Sequence, residues 1–146
     1  MFYLAKIFQQ GSGELIDLLS LTSTSIRDRL FENLQRCFGN VPLSIYLNGA
    51  TYILTLDPET SYPVSQASIF CAPDYYYLYN VCTIPEYQRK GLMLTLLSYL
   101  LLDIPEGSRV ILRVLPSNIS AILLYQSLGF KMINEEFMEF FTSSKR

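Results

Sequence analysis

Histidine is absent from the chain. That removes histidine-based catalytic triads, most zinc sites and the commonest general base. Charge is also sparse: 16% of the residues are charged and the net charge is −2. Lys and Arg are scattered, adjacent only at Arg89-Lys90 and Lys145-Arg146. Neither a nucleic-acid partner nor an anionic membrane surface is supported by that balance. The three cysteines, Cys37, Cys71 and Cys82, show no CxxC spacing. An odd count in apolar settings predicts buried free thiols in a reducing compartment, and hence a cytoplasmic protein. No GxxxxGK(S/T) and no GxGxxG occurs, which excludes a P-loop and leaves a dinucleotide fold unsupported. The longest apolar run, Leu92 to Leu102, contains Thr95 and Ser98 and falls short of the roughly 20 residues that span a bilayer. At the N-terminus, Met1 to Phe8 has no basic residue ahead of its apolar run and no small-residue cleavage site. It reads as a first strand rather than a signal peptide, and the chain is expected to be soluble.

What remains is rich in core-forming residues. Half of the 146 residues are hydrophobic and 14% are aromatic, which predicts one domain, residues 1–146, with a continuous core. Along the chain, Gln9 to Gly13 is a polar break and Glu14 to Leu19 reads as a short helix. Ser25 and Asp28 approximate a capping box, and Ile26, Leu30, Leu34 and Cys37 then share one helical face, up to Gly39-Asn40. The period changes in the middle. Leu43 to Leu47, Thr51 to Leu56, Ala67 to Cys71 and Tyr75 to Ile84 are β-branched and aromatic, separated by Asn48-Gly49, Asp57-Pro58 and Ala72-Pro73-Asp74. These predict an antiparallel meander. The last third alternates: helix 91–102, strand 109–115, helix 118–128, then strands 130–133 and 135–142. The expected fold class is α/β, with hairpins first and a βαβα-type crossover later.

Two segments carry chemistry. In the first, Gln88-Arg89-Lys90-Gly91-Leu92-Met93 links the end of a strand to the start of a helix. Unpaired N–H groups at a helix start bind phosphate oxygens, the helix dipole favours their charge, and Gly91 permits close approach. In the second, Tyr125 lies on the following helix, which ends at Gly129-Phe130. Taken alone, the first segment reads more readily as an ordinary strand-to-helix turn, and Tyr125 as an aromatic packed on the sheet. Cys82, with no histidine to activate it, reads as a small buried residue rather than a nucleophile.

Together, Val81-Cys82-Thr83-Ile84-Pro85-Glu86-Tyr87-Gln88-Arg89-Lys90-Gly91 and Asn118-x-x-Ala121-x-x-Leu124-Tyr125-x-x-x-Gly129-Phe130 resemble two successive motifs of the GNAT superfamily of N-acetyltransferases. The matched motifs lie within residues 78–130. This resemblance implies a mixed, mostly antiparallel sheet, splayed at the cofactor site and flanked by helices. It implies acetyl-CoA as co-substrate, no metal, and direct transfer of an acetyl group to a primary amine. The backbone of Val81, Cys82 and Thr83 would pair with the pantetheine arm, and Gln88, Arg89, Lys90, Gly91, Leu92 and Met93 would hold the pyrophosphate. Asn118 would bond the cofactor or the splayed strand ends, and Tyr125 would be the catalytic group at the thioester sulfur.

The sequence departs from the pattern twice. Met93 stands where the signature has a small residue. Tyr77 stands where many relatives carry a glutamate, six residues ahead of Thr83. Proton removal would then run through water held by Tyr77, Tyr79 or Asn80, or through Glu135 or Glu136 if their turn reaches the site. The acceptor would be a small-molecule or peptide amine, approached from the side of helix 25–38 and the final hairpin. A non-catalytic acetyl-CoA-binding module, and a relic of the fold serving only association (a homodimer, for instance), are the alternatives.

Overall fold

In a computed structural model of the chain, residues 3–10, 14–17, 23–39, 51–57, 59–60 and 62–142 are described. The β-branched and aromatic runs form strands β1 (Tyr3–Gln10), β3 (Thr51–Leu56), β4 (Pro63–Cys71) and β5 (Tyr76–Thr83), joined by β2 (Glu14–Asp17). Helices α1 (Ser23–Phe38), α2 (Leu92–Leu102) and α3 (Ile119–Ser127) and strands β6 (Arg109–Arg113), β7 (Lys131–Met132) and β8 (Phe137–Phe141) complete the described elements. The predicted strand 43–47, its Asn48-Gly49 turn and the side chains of the Ser25/Asp28 capping box lie outside the described residues. One element differs in kind: of the short helix expected over Glu14 to Leu19, the described part, Glu14–Asp17, is a strand hydrogen-bonded to β1, with Phe8 opposite Ile16.

All eight strands form one sheet in the order β2-β1-β3-β4-β5-β6-β8-β7. Every neighbouring pair is antiparallel except β5 and β6. That parallel pair needs a crossover, and α2 supplies it. Leu96, Leu97, Leu100 and Leu101 of α2 are buried on one sheet face against Ala67, Leu78, Val110, Leu112 and Met138. Tyr125 of α3 and Phe130 close the same cluster. On the opposite face, α1 buries Leu30 and Leu34 completely. A buried polar bridge fixes its position: Asn33 Nδ2 donates to Pro63 O at 2.8 Å and to Gln66 Oε1 at 3.1 Å. Gln66 Nε2 in turn donates to Leu30 O at 3.1 Å.

A bulge in the middle of the sheet positions the site. Ser68 pairs with Tyr79 and Gln66 with Cys82, so β5 carries one more residue than β4 across that interval. Asn80 absorbs the extra residue with φ 54°, a left-handed conformation that asparagine tolerates better than most residues. On its other side β5 pairs with β6 only at Tyr76–Val110, Tyr77–Ile111 and Leu78–Leu112. Beyond Leu78 the two strands part, and β5 runs on to Thr83 with no described strand beside it on that edge.

The expectation of three buried free thiols is overturned. Cys37 of α1 and Cys82 of β5 form a disulfide with a Cα–Cα distance of 6.2 Å, and Cys71 is free but exposed. Strand alternation explains the pairing. Val81 packs towards α2, so its neighbour Cys82 faces α1, where Cys37 lies one residue from the helix end.

Candidate acyl-transfer site

The chain leaves β5 through buried Ile84, whose N–H donates to Val64 O at 3.0 Å. A single 3-10 turn, Pro85–Tyr87, follows, and Gln88 is again extended. Arg89 (φ 63°) and Gly91 (φ 74°) are both left-handed. Left-handed residues interrupting a turn direct successive N–H groups into one anion-binding concavity. α2 then begins at Leu92 with Gly91 as its N-cap and no capping side chain. The first-turn N–H groups therefore have no side-chain acceptor at the cap. A Cβ added at Gly91 would meet nothing within 4 Å, so the space over the loop is open. A diphosphate fits this cradle of backbone donors, open space and helix-dipole charge.

Side chains brace the loop from both sides. Arg36 of α1 ion-pairs with Glu86, and that contact holds the Glu86 carboxyl below its ordinary pKa. Tyr87 Oη donates to Asp57 Oδ2 at 2.5 Å, which depresses the Asp57 carboxyl and raises the Tyr87 phenol. Gln88 Nε2 donates to Thr83 O at 2.9 Å and Gln88 N to Pro85 O at 3.3 Å. Gln88 thus shapes the loop, while Arg89, Lys90 and Gly91 are exposed above it. Met93 is partly buried against the α2-side core, so its side chain is directed inward and away from the cradle.

The predicted pantetheine strand lies at the parting of β5 and β6. Cys82 and Thr83 pair with Gln66 and Ser65 on the β4 side. Their opposite edge faces the gap. Asn118 caps α3, its Oδ1 accepting from Ala121 N at 3.3 Å, which leaves its Nδ2 as the group able to donate elsewhere. Tyr125 is 6% exposed, with its ring centroid 5.8 Å from that of Phe130. Burial pushes its phenol up to about 12. Val81 and Tyr125 therefore belong to the α2–α3 side of the sheet. Arg89 and Lys90 extend into solvent.

The other side of the gap carries different chemistry. Tyr77 and Tyr79 stack there, with centroids 5.7 Å apart. Desolvation raises the Tyr77 phenol, while Arg113 pulls it down. Arg113 Nη2 lies 3.3 Å from Glu136 Oε1, so the turn before β8 does reach this face. Sequence reading gave Arg113 no role. Its signal was the alternation Arg109-Val110-Ile111-Leu112-Arg113, which sets the arginines opposite core residues. The ion pair from Arg36 to Glu86 and the disulfide left no sequence signal, because each joins residues far apart in the chain.

Solved structures share this architecture. The ribosomal-protein-S18-alanine N-acetyltransferase from Escherichia coli superposes with a TM-score of 0.76 at 21% identity, covering 100% of this chain and 97% of that one. Arabidopsis thaliana NAA60, solved with a bisubstrate analogue, gives 0.66 at 14% identity over 82% and 95%. A phosphinothricin acetyltransferase from Sinorhizobium meliloti, solved with acetyl-CoA, gives 0.57 at 16% identity over 84% and 71%. No sequence among the curated proteins matches the chain. The fold is that of the GNAT superfamily of acyltransferases. Residues 63–138, more than half of the chain, match the sequence model described as FR47-like protein, and the chain belongs to that family.

Proposed function

We propose that the protein is an acetyl-CoA-dependent N-acetyltransferase that moves the acetyl group directly to a primary amine. The observation that carries this reading is the parting of β5 from β6 beyond Leu78, running directly into the uncapped, Gly91-led start of α2. Backbone N–H and C=O groups of Val81 to Thr83 would pair with the pantetheine arm like an added strand. The loop from Arg89 to Met93 would hold the diphosphate, with Gln88 bracing it from behind. Asn118, through Nδ2, would bond the cofactor side of the gap.

In the transfer, the neutral amine nitrogen attacks the thioester carbonyl, the C–S bond breaks, the coenzyme leaves as a thiolate, and the nitrogen gives up its extra proton to water. Tyr125 would face that sulfur. With its phenol at about 12 against roughly 8.5 for a thiol, complete proton transfer is uphill by about 5 kcal/mol. Tyr125 therefore acts as a hydrogen-bond donor to the developing thiolate, and solvent supplies the proton. Tyr77, its phenol raised by burial, is no base at neutral pH. A lysine-like amine, with pKa near 10.4, costs about 4.6 kcal/mol to deprotonate at pH 7. An α-amine, with pKa near 8, costs about 3 kcal/mol less. The site thus suits an α-amine.

The missing carboxylate at Tyr77 favours one second reading, a module that binds acetyl-CoA without turnover. Calorimetric titration with acetyl-CoA, for the natural chain and for Gly91→Glu, tests the cofactor site. Micromolar binding abolished by the substitution is expected. No binding to the natural chain would defeat both readings, and binding without thiol release on any amine would leave only the second.

A further inference from the structure

We infer that the acceptor is an amine carrying a carboxylate beside it, such as a free amino acid, and that Arg113 is the residue that reads the carboxylate. This rests on the acetyltransferase reading above and names its substrate class.

The argument begins with strand alternation. Val110, Leu112 and Val114 are buried in the α2-side core, so Arg113 emerges on the opposite face of β6. Leu112 is the last β6 residue paired with β5. Arg113 is therefore the first side chain on that face where the strands have parted. The α2–α3 side of the gap is occupied by packed core, including Tyr125. An amine must then reach the thioester from the face that carries Arg113, Tyr77 and Tyr79. The influence of Arg113 on the Tyr77 phenol puts its charge within electrostatic reach of that approach.

The guanidinium is held but not consumed. Its recorded contact among the described residues is Nη2 to Glu136 Oε1 at 3.3 Å, and its side chain is 55% exposed. Glu136 is itself fixed by backbone: its carbonyl accepts from Val114 N at 2.7 Å, and its N–H donates to Asn134 Oδ1 at 2.9 Å. One turn of the same ladder away, Arg109 contacts Glu139 at 2.8 Å, with Glu139 only 24% exposed. That pair is the tighter, structural one. In Arg113 the remaining donors of the planar fork match a carboxylate in bidentate geometry. A polyamine or lysine side chain would meet a like charge at the same place. Its own carboxylate makes the amine of a free amino acid more basic than a peptide α-amine, and the Arg113 cation offsets this by favouring the neutral, nucleophilic form.

The test is the rate of thiol release from acetyl-CoA with free amino acids and with their amides as matched pairs. The amide has the less basic amine, so a preference for the acid cannot come from amine reactivity. The natural chain should favour the acid by about tenfold or more in kcat/KM, expressed mainly in KM. Arg113→Ala should bring the ratio close to one, Arg113→Lys should keep part of it, and Arg113→Glu should turn it towards the amide. Acetyl-CoA affinity, measured by titration, should stay the same in all three. Turnover without preference, or a preference that survives Arg113→Ala, overturns this inference and leaves the acetyltransferase reading standing. Acetyl-CoA binding with no turnover on any amine removes both.

Discussion

Cys37, next to the last residue of α1, is covalently joined to Cys82, in the stretch of β5 that lies beyond its last pairing with β6. One residue before it, Arg36 ion-pairs with Glu86 in the loop that follows the same strand. The end of α1 is thus tied to β5 and to the loop that follows it by neighbouring residues.

The bridge closes a span of 45 residues. By loop-closure entropy such a link contributes up to about 4 kcal/mol, through restriction of the unfolded chain. Dithiothreitol, or the substitution Cys37→Ser, should lower the melting temperature by several degrees in calorimetry. Cys71→Ser, at an exposed free thiol, should not. Equal melting with and without reductant would show that the bridge does not form in solution.

Tyr125→Phe should lower kcat about a hundredfold or more with little change in KM, as expected when a hydrogen bond strengthens in the transition state. Because burial holds the phenol at about 12, its ionisation should leave no break in the pH–rate profile between 7 and about 10. Unchanged turnover in Tyr125→Phe would remove the residue from the mechanism.

The loop braces predict a response to acid. Asp57 is depressed from 3.8 by its bond from Tyr87, and Glu86 from 4.5 by Arg36. Groups depressed in the folded state stabilise it above their unfolded pKa, and that contribution is lost as pH falls through the folded values. Melting temperature should therefore decline below pH 4.5. The decline should be shallower in a Tyr87→Phe, Arg36→Gln double variant. Parallel curves for the two proteins would show that neither brace contributes. Both carboxylates lie near the surface, so the effect should shrink with added salt.

Asn33→Ala would strip the buried bridge between α1 and β4 and leave Pro63 O and Gln66 Oε1 without their donor. A loss of about 1 to 3 kcal/mol is expected from denaturant unfolding. A change below that range would mean that water replaces the amide.

Much of this was legible in the chain. The β5–α2–β6 crossover followed from the alternation of helix 91–102 with the strands before and after it, and Gly129 was placed as a residue past a helix end. Its structure adds a second reason: φ is 106°, and a Cβ there would lie 2.9 Å from Phe140 Cε1. The error at Glu14 to Asp17 has a physical cause. A run as short as Glu14 to Leu19 fixes neither a helical nor a strand period, and the decision for Glu14–Asp17 belongs to pairing with β1. The bulge at Asn80 was equally hidden, since nothing local in Tyr79-Asn80-Val81 announces an extra residue relative to β4. Charged pairs such as Arg113 with Glu136 require the register of β6 against β8, which no single strand encodes.

The bulge at Asn80 lies where the sheet loses a strand neighbour. At the same place β5 parts from β6, so that the stretch from Tyr79 to Thr83 presents an edge inside the sheet with no described strand beside it. Such an edge accepts any extended segment that reaches it, including a strand from another molecule. On the acetyltransferase reading proposed above, a cofactor lying there would act as the absent strand, and at a hundredfold excess over its Kd it would add about 2.7 kcal/mol to folding. The sheet is thus one strand short at this point, and a small molecule that completed it would also shield it from association.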